Sequence, residues 1–245
     1  MSIQSQITRI KNNVQNTLTI IRNAGLTVAS DANSDSLPDL VDELANDVDG
    51  GSFVELPDGY THVEYIESTG SQYIDTGVIA KSGLSLAAEF AATSVSGDTT
   101  LAGARSGNVR FYMFHVYSGC AAYGYGAFAN TGKTLTAGTK YAVASELSAG
   151  NQTITVNGGV AASATDATSY NTGLPMFLFA SNRDGAASAI ITAKMYSCKI
   201  YDNGTLVRQY FPCINPSGVV GLYDLVNGTF NSGVGTFTAG RAVVL

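Results

Sequence analysis

Apolar residues recur at helical spacing near the start of the chain and at strand spacing further on. Ile3, Ile7, Ile10, Val14 and Ile21 alternate in steps of four and three, with Thr17 at the one polar seam position. That spacing predicts an amphipathic helix over 2–23, with Leu18 and Ile20 widening its apolar stripe and Ala24-Gly25 ending it. So short a helix needs a partner. Either it packs on a neighbouring element, or it forms a short oligomeric coil in which Thr17 helps to fix register. A second helix is signalled by "SLPDLVDEL", with Ser36 as cap, Pro38 in the first turn and Leu37, Leu40, Val41 and Leu44 on one face. Residues 31–50 carry seven acids and no base, and they lack the ligand order of a calcium loop. "DVDGGS", 47–52, reads as a hinge.

Beyond the hinge the pattern turns to short alternating runs. Candidate strands are 62–67, 72–76, 84–92, 109–117, 140–147, 152–157, 175–180, 189–201, 206–211 and 219–225. Turn signals separate many of them, among them Asn157-Gly158, Asp184-Gly185, Asn203-Gly204 and Asn227-Gly228. These pairs favour tight hairpins because both positions tolerate positive φ. Many short strands at this spacing predict a mainly β sandwich or jelly roll, residues 53–245, behind a helical segment and hinge, residues 1–52.

Composition narrows the function classes. The 245 residues carry a net charge of −6 with 13 basic side chains, and the longest basic concentration is Arg9–Lys11. Phosphate-backbone binding needs clustered Lys and Arg, so nucleic acid is not an expected partner. No stretch has the roughly 18 apolar residues of a membrane span, and the opening lacks a secretory signal's pattern. Three cysteines, Cys120, Cys198 and Cys213, include no CxxC spacing. Free core thiols are expected, with a Cys198–Cys213 bridge as the alternative.

"LPDGYTHVEYIESTGSQYIDTG" and "GLYDLVNGTFNSGVGTFTAG" resemble the two ends of a laminin-G-like, concanavalin-A-like jelly roll found in bacteriophage virion proteins and surface proteins of gut bacteria. "TKYAVASELSAGNQTITVNGGVAASA" and "ITAKMYSCKIYDNGTLVRQYFP" resemble its central hairpin and closing strands. The resemblance covers roughly 55–240 and implies a sandwich that displays loops for recognition, without catalysis. It implies a virion structural protein, a capsid decoration, head fibre or tail component. Made in the bacterial cytoplasm, it would sit on the virion surface beside other capsid or tail proteins. The anchoring stripe would be Ile3, Ile7, Ile10, Val14, Thr17, Leu18 and Ile21, in a homo-oligomer such as a trimer, with a host-surface glycan as ligand. The alternative is a non-catalytic carbohydrate-binding module of a bacterial surface protein.

Candidate chemistry is sparse. Glu64 and Glu67, three apart, fall on opposite faces of a strand and cannot flank one glycosidic bond; with Asp75 they are expected along a hairpin rim. His62 and His115 are the only histidines, too few for a zinc site, and His115 is expected as a strand residue with a satisfied ring. No cofactor is expected apart from calcium, for which Asp166 and Asp184 are oxygen donors, with plain Asx turns as the competing reading. In the absence of tryptophan, Tyr112, Tyr123, Tyr125 and Tyr170 are the candidate glycan platforms. Tyr123 and Tyr125 share one strand side, with a subunit contact as the alternative.

Overall fold

The computed structural model describes residues 14–15, 17–18, 32–33 and 56–243. The chain divides into two compact units, Met1–Glu55 and Leu56–Leu245. In the first, Val14, Gln15, Thr17 and Leu18 are helical and Leu18 is buried. The rest of the expected stripe, Ile3, Ile7, Ile10 and Ile21, and the expected second helix lie outside the described residues.

The second unit is built of strands. In chain order they are β1 (Thr61–His62), β2 (Ile66–Thr69), β3 (Ile74–Lys81), β4 (Leu84–Ala92), β5 (Asp98–Ser106) and β6 (Val109–Tyr117). Next come β7 (Cys120–Thr134), β8 (Tyr141–Ser148), β9 (Asn151–Val156), β10 (Gly159–Ala164), β11 (Asn171–Leu178) and β12 (Ser181–Arg183). The last are β13 (Ala186–Ser188), β14 (Thr192–Asp202), β15 (Thr205–Ile214), β16 (Val220–Asp224), β17 (Thr229–Asn231) and β18 (Thr238–Ala239). They form two sheets. The larger follows the order β10-β9-β8-β4-β14-β15-β16-β17, with β1 on β15 and β2 joining β14 to β18. The smaller follows β13-β12-β5-β11-β3, with β6 on β5 and β7 on β6. Pairing between named strands is antiparallel throughout except for β12 on β5.

Alternation creates the core. In β4 the alternating buried positions are Leu84, Leu86, Ala88 and Phe90, with Ala91 and Ala92 buried beyond them, and in β9 they are Gln152, Ile154 and Val156. Phe90 meets Phe114 of β6 edge-on, ring centroids 5.1 Å apart, and Phe179 meets Phe237 in a tilted pair at 5.2 Å. One apolar cluster spans both sheets, and each fully buried Leu or Phe in it is worth roughly 1.5–3 kcal/mol. The hairpin signals hold at Asn157-Gly158, Asp184-Gly185 and Asn203-Gly204, where all six residues have positive φ. All three cysteines are free, so the Cys198–Cys213 bridge does not form. Burial pushes the Cys198 and Cys213 thiols up to about 12, which keeps them protonated and inert.

The two end motifs close the sandwich against each other. Gln72 is buried; its Oε1 accepts from the Thr69 and Ser71 amides at 2.9 and 3.2 Å, and its Nε2 donates to Thr236 O at 2.8 Å. Tyr73 bridges to Val234, and Gly233, at φ +65°, has no room for a Cβ beside Tyr73 O and Ile74. Asp224 is also buried. Its Oδ1 accepts from the Gln209 and Val226 amides at 3.0 and 3.1 Å, and its Oδ2 from Asn227 Nδ2 at 2.6 Å. Arg208 Nε lies 3.5 Å from the same carboxylate and donates to Thr76 O at 3.0 Å, tying β15 to β3. The expected rim acids are in this region: Glu64 and Asp75 are exposed, and Glu67 lies in β2 opposite Lys194 and Thr238.

Asp224→Ala strips the half-buried Arg208 guanidinium and two backbone amides of their buried acceptor. It is expected to cost about 3 kcal/mol of unfolding free energy, measured by urea denaturation, with Asp224→Asn costing less.

Candidate functional site

The outer face of the smaller sheet carries a hollow of about 360 Å³ lined by Asp98, Arg105, Arg110, Tyr112, Tyr117 and Phe128. Its construction begins with irregular register. β5 shifts register around Ala102, and β6 shifts between Tyr112 and His115. Leu101 and Ala102 on β5, and Met113 and Phe114 on β6, therefore all join the core. In a regular strand Tyr112 and His115, three apart, would face opposite sides. The bulged strand instead stacks them, ring centroids 5.0 Å apart and planes 14° from parallel.

Glycines make room for the tyrosine. Gly103 of β5 and Gly124 of β7 stand opposite Tyr112 on its two neighbouring strands. A Cβ at Gly103 would lie 2.9 Å from Tyr112 Cδ1, and one at Gly124 would lie 3.0 Å from Cδ2. The Tyr112 ring thus occupies a slot that side chains would fill. Phe128 is half-buried and meets His115 and Tyr117 edge-on at 5.4 and 5.1 Å. Tyr117 is 40% exposed and forms the open wall.

His115 underlies this cluster; its ring is hydrogen-bonded on one side only, where full satisfaction was expected. Nδ1 is 2.9 Å from Thr100 Oγ1, and Nε2 faces the Asp98 carboxylate. Burial lowers its pKa, and Asp98 opposes that shift by its charge. Asp98 itself is 69% exposed in its side chain, so it presents oxygens to the hollow as well as to His115.

Of the four tyrosines expected as platforms, only Tyr112 lines the hollow. Tyr123 and Tyr125 do share a side, but it is the inner one: both belong to the core cluster and offer no open ring face. Tyr125 donates to Thr168 O at 2.7 Å and meets Tyr170 edge-on at 4.7 Å. Tyr170 in turn donates to Asp166 Oδ2 at 3.1 Å, so this group braces a loop. The calcium candidates are separate turn residues. Asp166 Oδ1 accepts from the Thr168 amide at 2.8 Å, which holds its carboxyl below the usual range. Asp184 Oδ1 accepts from the Gly107 amide at 3.1 Å. Among the described residues no three His, Cys, Asp or Glu side chains gather as metal ligands.

Sequence reasoning did not single out Asp98, Arg105, Arg110, Tyr117 or Phe128. The signal lay in "VRFYMFHVYSG", where Arg110, Tyr112 and Tyr117 share a face once the bulge is known. A second hollow, about 300 Å³, lies on the larger sheet and is lined mostly by small residues with Glu146 and Tyr201. It lacks the convergence of rings and charges found in the first.

No family model matches the sequence. No curated protein matches it either. Among solved structures, the chain is similar to a Bacteroides ovatus protein assigned a carbohydrate-binding role, at 13% identity and TM-score 0.54, over 74% of this chain and 61% of that one. It is also similar to the fourth and fifth laminin-G domains of the mouse laminin alpha1 chain, at 15% identity and TM-score 0.42, over 64% of this chain and 44% of that one. A galectin of Caenorhabditis elegans matches at 15% identity and TM-score 0.35, over 60% of this chain and 98% of the galectin. At 13% identity the likeness to the Bacteroides ovatus structure is one of fold alone, a β sandwich.

The buried His115 ring gives a signed pH dependence. Its native pKa is lowered, so below about pH 6.5 the unfolded chain binds a proton that the native chain resists. Stability is therefore retained above that pH and declines as pH falls. Asp98→Asn removes the opposing charge and is expected to steepen the decline, and His115→Asn to flatten it, leaving the like-signed contribution of His62. Urea midpoints followed from about pH 7 to about pH 5 check both directions; identical slopes in all three proteins would refute the assignment.

Proposed function

We propose that the sandwich is a carbohydrate-binding module that acts by recognition without catalysis, with the saccharide seated in the hollow of the smaller sheet. The observation that carries this reading is the convergence there of Tyr117 and Phe128 with Asp98, Arg105 and Arg110. A sugar ring has apolar C–H faces and a girdle of hydroxyls. Two aromatic walls set edge to face suit the former. One carboxylate acceptor and two guanidinium donors suit the latter. The volume falls within the roughly 300–1,000 Å³ of small-ligand sites. The carbohydrate-binding role assigned to the Bacteroides ovatus structure of similar fold points the same way.

Absence of catalysis is part of the proposal. Glycoside hydrolysis by the usual route takes two carboxyl groups about the scissile bond, and Asp98 is the one carboxylate among the residues lining the hollow. Placement on a phage particle is a narrower reading that rests on the likeness of the two end motifs. Those motifs hold the sandwich shut through Gln72 and Asp224, a structural duty that suits any protein with this fold. Recognition of a saccharide is thus better supported than virion assembly.

A glycan array probed with the full chain is the test. Saturable binding to a saccharide subset is expected, and Tyr117→Ala and Phe128→Ala should each weaken it about tenfold, equivalent to about 1.4 kcal/mol. An empty array, or variants that bind as the parent does, would overturn the proposal.

A further inference from the structure

Strand register places three of the chain's seven arginines side by side. Arg105 of β5 stands opposite Arg110 of β6, and Arg183 of β12 stands opposite Arg105 on the other edge. Cross-strand partners share a face, with Cβ atoms about 5 Å apart. Arg183, Arg105 and Arg110 therefore form a row across the outer face, and the last two line the hollow.

Like charges set directly opposite one another disfavour the sheet that holds them. Among the described residues no ion pair offsets this row. The ion pairs among those residues are Lys81–Asp202, Lys140–Glu89 and Arg208–Asp224, and His115 against Asp98 joins them only when the imidazole is protonated. Asp184 accepts from the Gly107 amide, and Asp98, which faces His115, is the one carboxylate that lines the hollow beside Arg105 and Arg110. Arg105 Nε donates to Gly107 O at 2.8 Å, which anchors the guanidinium at the rim. A chain of net charge −6 thus sets three arginines in a row beside an aromatic hollow in which, among the described residues, one carboxylate stands against them.

We infer that the hollow selects anionic saccharides, those bearing carboxylate or sulfate groups. This rests on reading the hollow as the carbohydrate site. The planar guanidinium fork matches an oxyanion in bidentate fashion, which a neutral hydroxyl cannot reproduce. The row takes the acid group while Tyr117 and Phe128 hold the ring that bears it. Because the surrounding charge is negative, selection comes from this row and not from the molecule's overall field.

The test uses the full chain and matched polymers: dextran, dextran sulfate, polygalacturonate and a single-stranded oligonucleotide. Retention on dextran sulfate or polygalacturonate, absent on dextran, is expected; which of the two binds identifies the acid group. Arg105→Gln/Arg110→Gln should weaken that binding at least about tenfold. Lys133→Gln/Arg241→Gln, the same charge change elsewhere, should leave it intact. Equal loss in both double variants would overturn the assignment to the row. Binding to dextran or other neutral glycans alone, still lost in Tyr117→Ala, would overturn anion selection and leave the carbohydrate reading standing. No binding to any saccharide, here or on an array, would overturn both. An oligonucleotide held as tightly as the acidic polymers, and lost in the same arginine variant, would replace the saccharide with a phosphate backbone.

Discussion

The pleat of a β-strand gives each side chain one of two faces, and the irregular register of β5 against β6 decides the outcome in this sandwich. Leu101 with Ala102, and Met113 with Phe114, are adjacent pairs that all enter the core. The register shifts that allow this return Tyr112 and His115 to the same outer face. Without them one member of that stack would sit inside, and the hollow would lose its floor. Gly103 and Gly124 complete the arrangement, since a Cβ at either position would collide with the Tyr112 ring. Core filling and site formation are thus two results of one local departure from alternation.

Closure of the sandwich depends on a different kind of contact. Buried polar groups are tolerated only when they are hydrogen-bonded, and Gln72 and Asp224 are each fully engaged. Each joins segments remote in sequence, Gln72 to Thr236 and Asp224 through Arg208 to Thr76. Residues that look from sequence like a distinctive motif prove to be fastenings. The acids that drew attention in the same stretch, Glu64 and Asp75, remain on the surface.

Much of the larger sheet was legible because strands such as β4 and β9 alternate and Asn-Gly turns follow β9 and β14; β4, and β6 in the smaller sheet, begin and end where periodicity puts them. β5 and β7 were not, and the reason is physical. "DTTLAGARS" and "CAAYGYGAFANTGKT" are rich in Gly and Ala, which read as turn or linker. Those same small residues are what give Tyr112 its slot. Tyr123 and Tyr125 were rightly placed on one side of a strand, but sequence could not say which side faced the core. The arginine row was invisible for another reason: Arg183 is far along the chain from Arg105 and Arg110, and only register joins them. Counting charges along the sequence, with Arg9–Lys11 as its densest basic stretch, looks in the wrong dimension.

The central claim is that ligand meets the protein on the outer face of β5, β6 and β7. NMR titration of the full chain with a bound saccharide tests it most directly, following arginine Nε–H and aromatic ring resonances. The account predicts saturable shifts at Arg105, Arg110, Tyr117 and Phe128, the residues around the hollow. Shifts centred instead on Tyr201 and its neighbours in the hollow of the larger sheet, with those four residues unmoved, would contradict it.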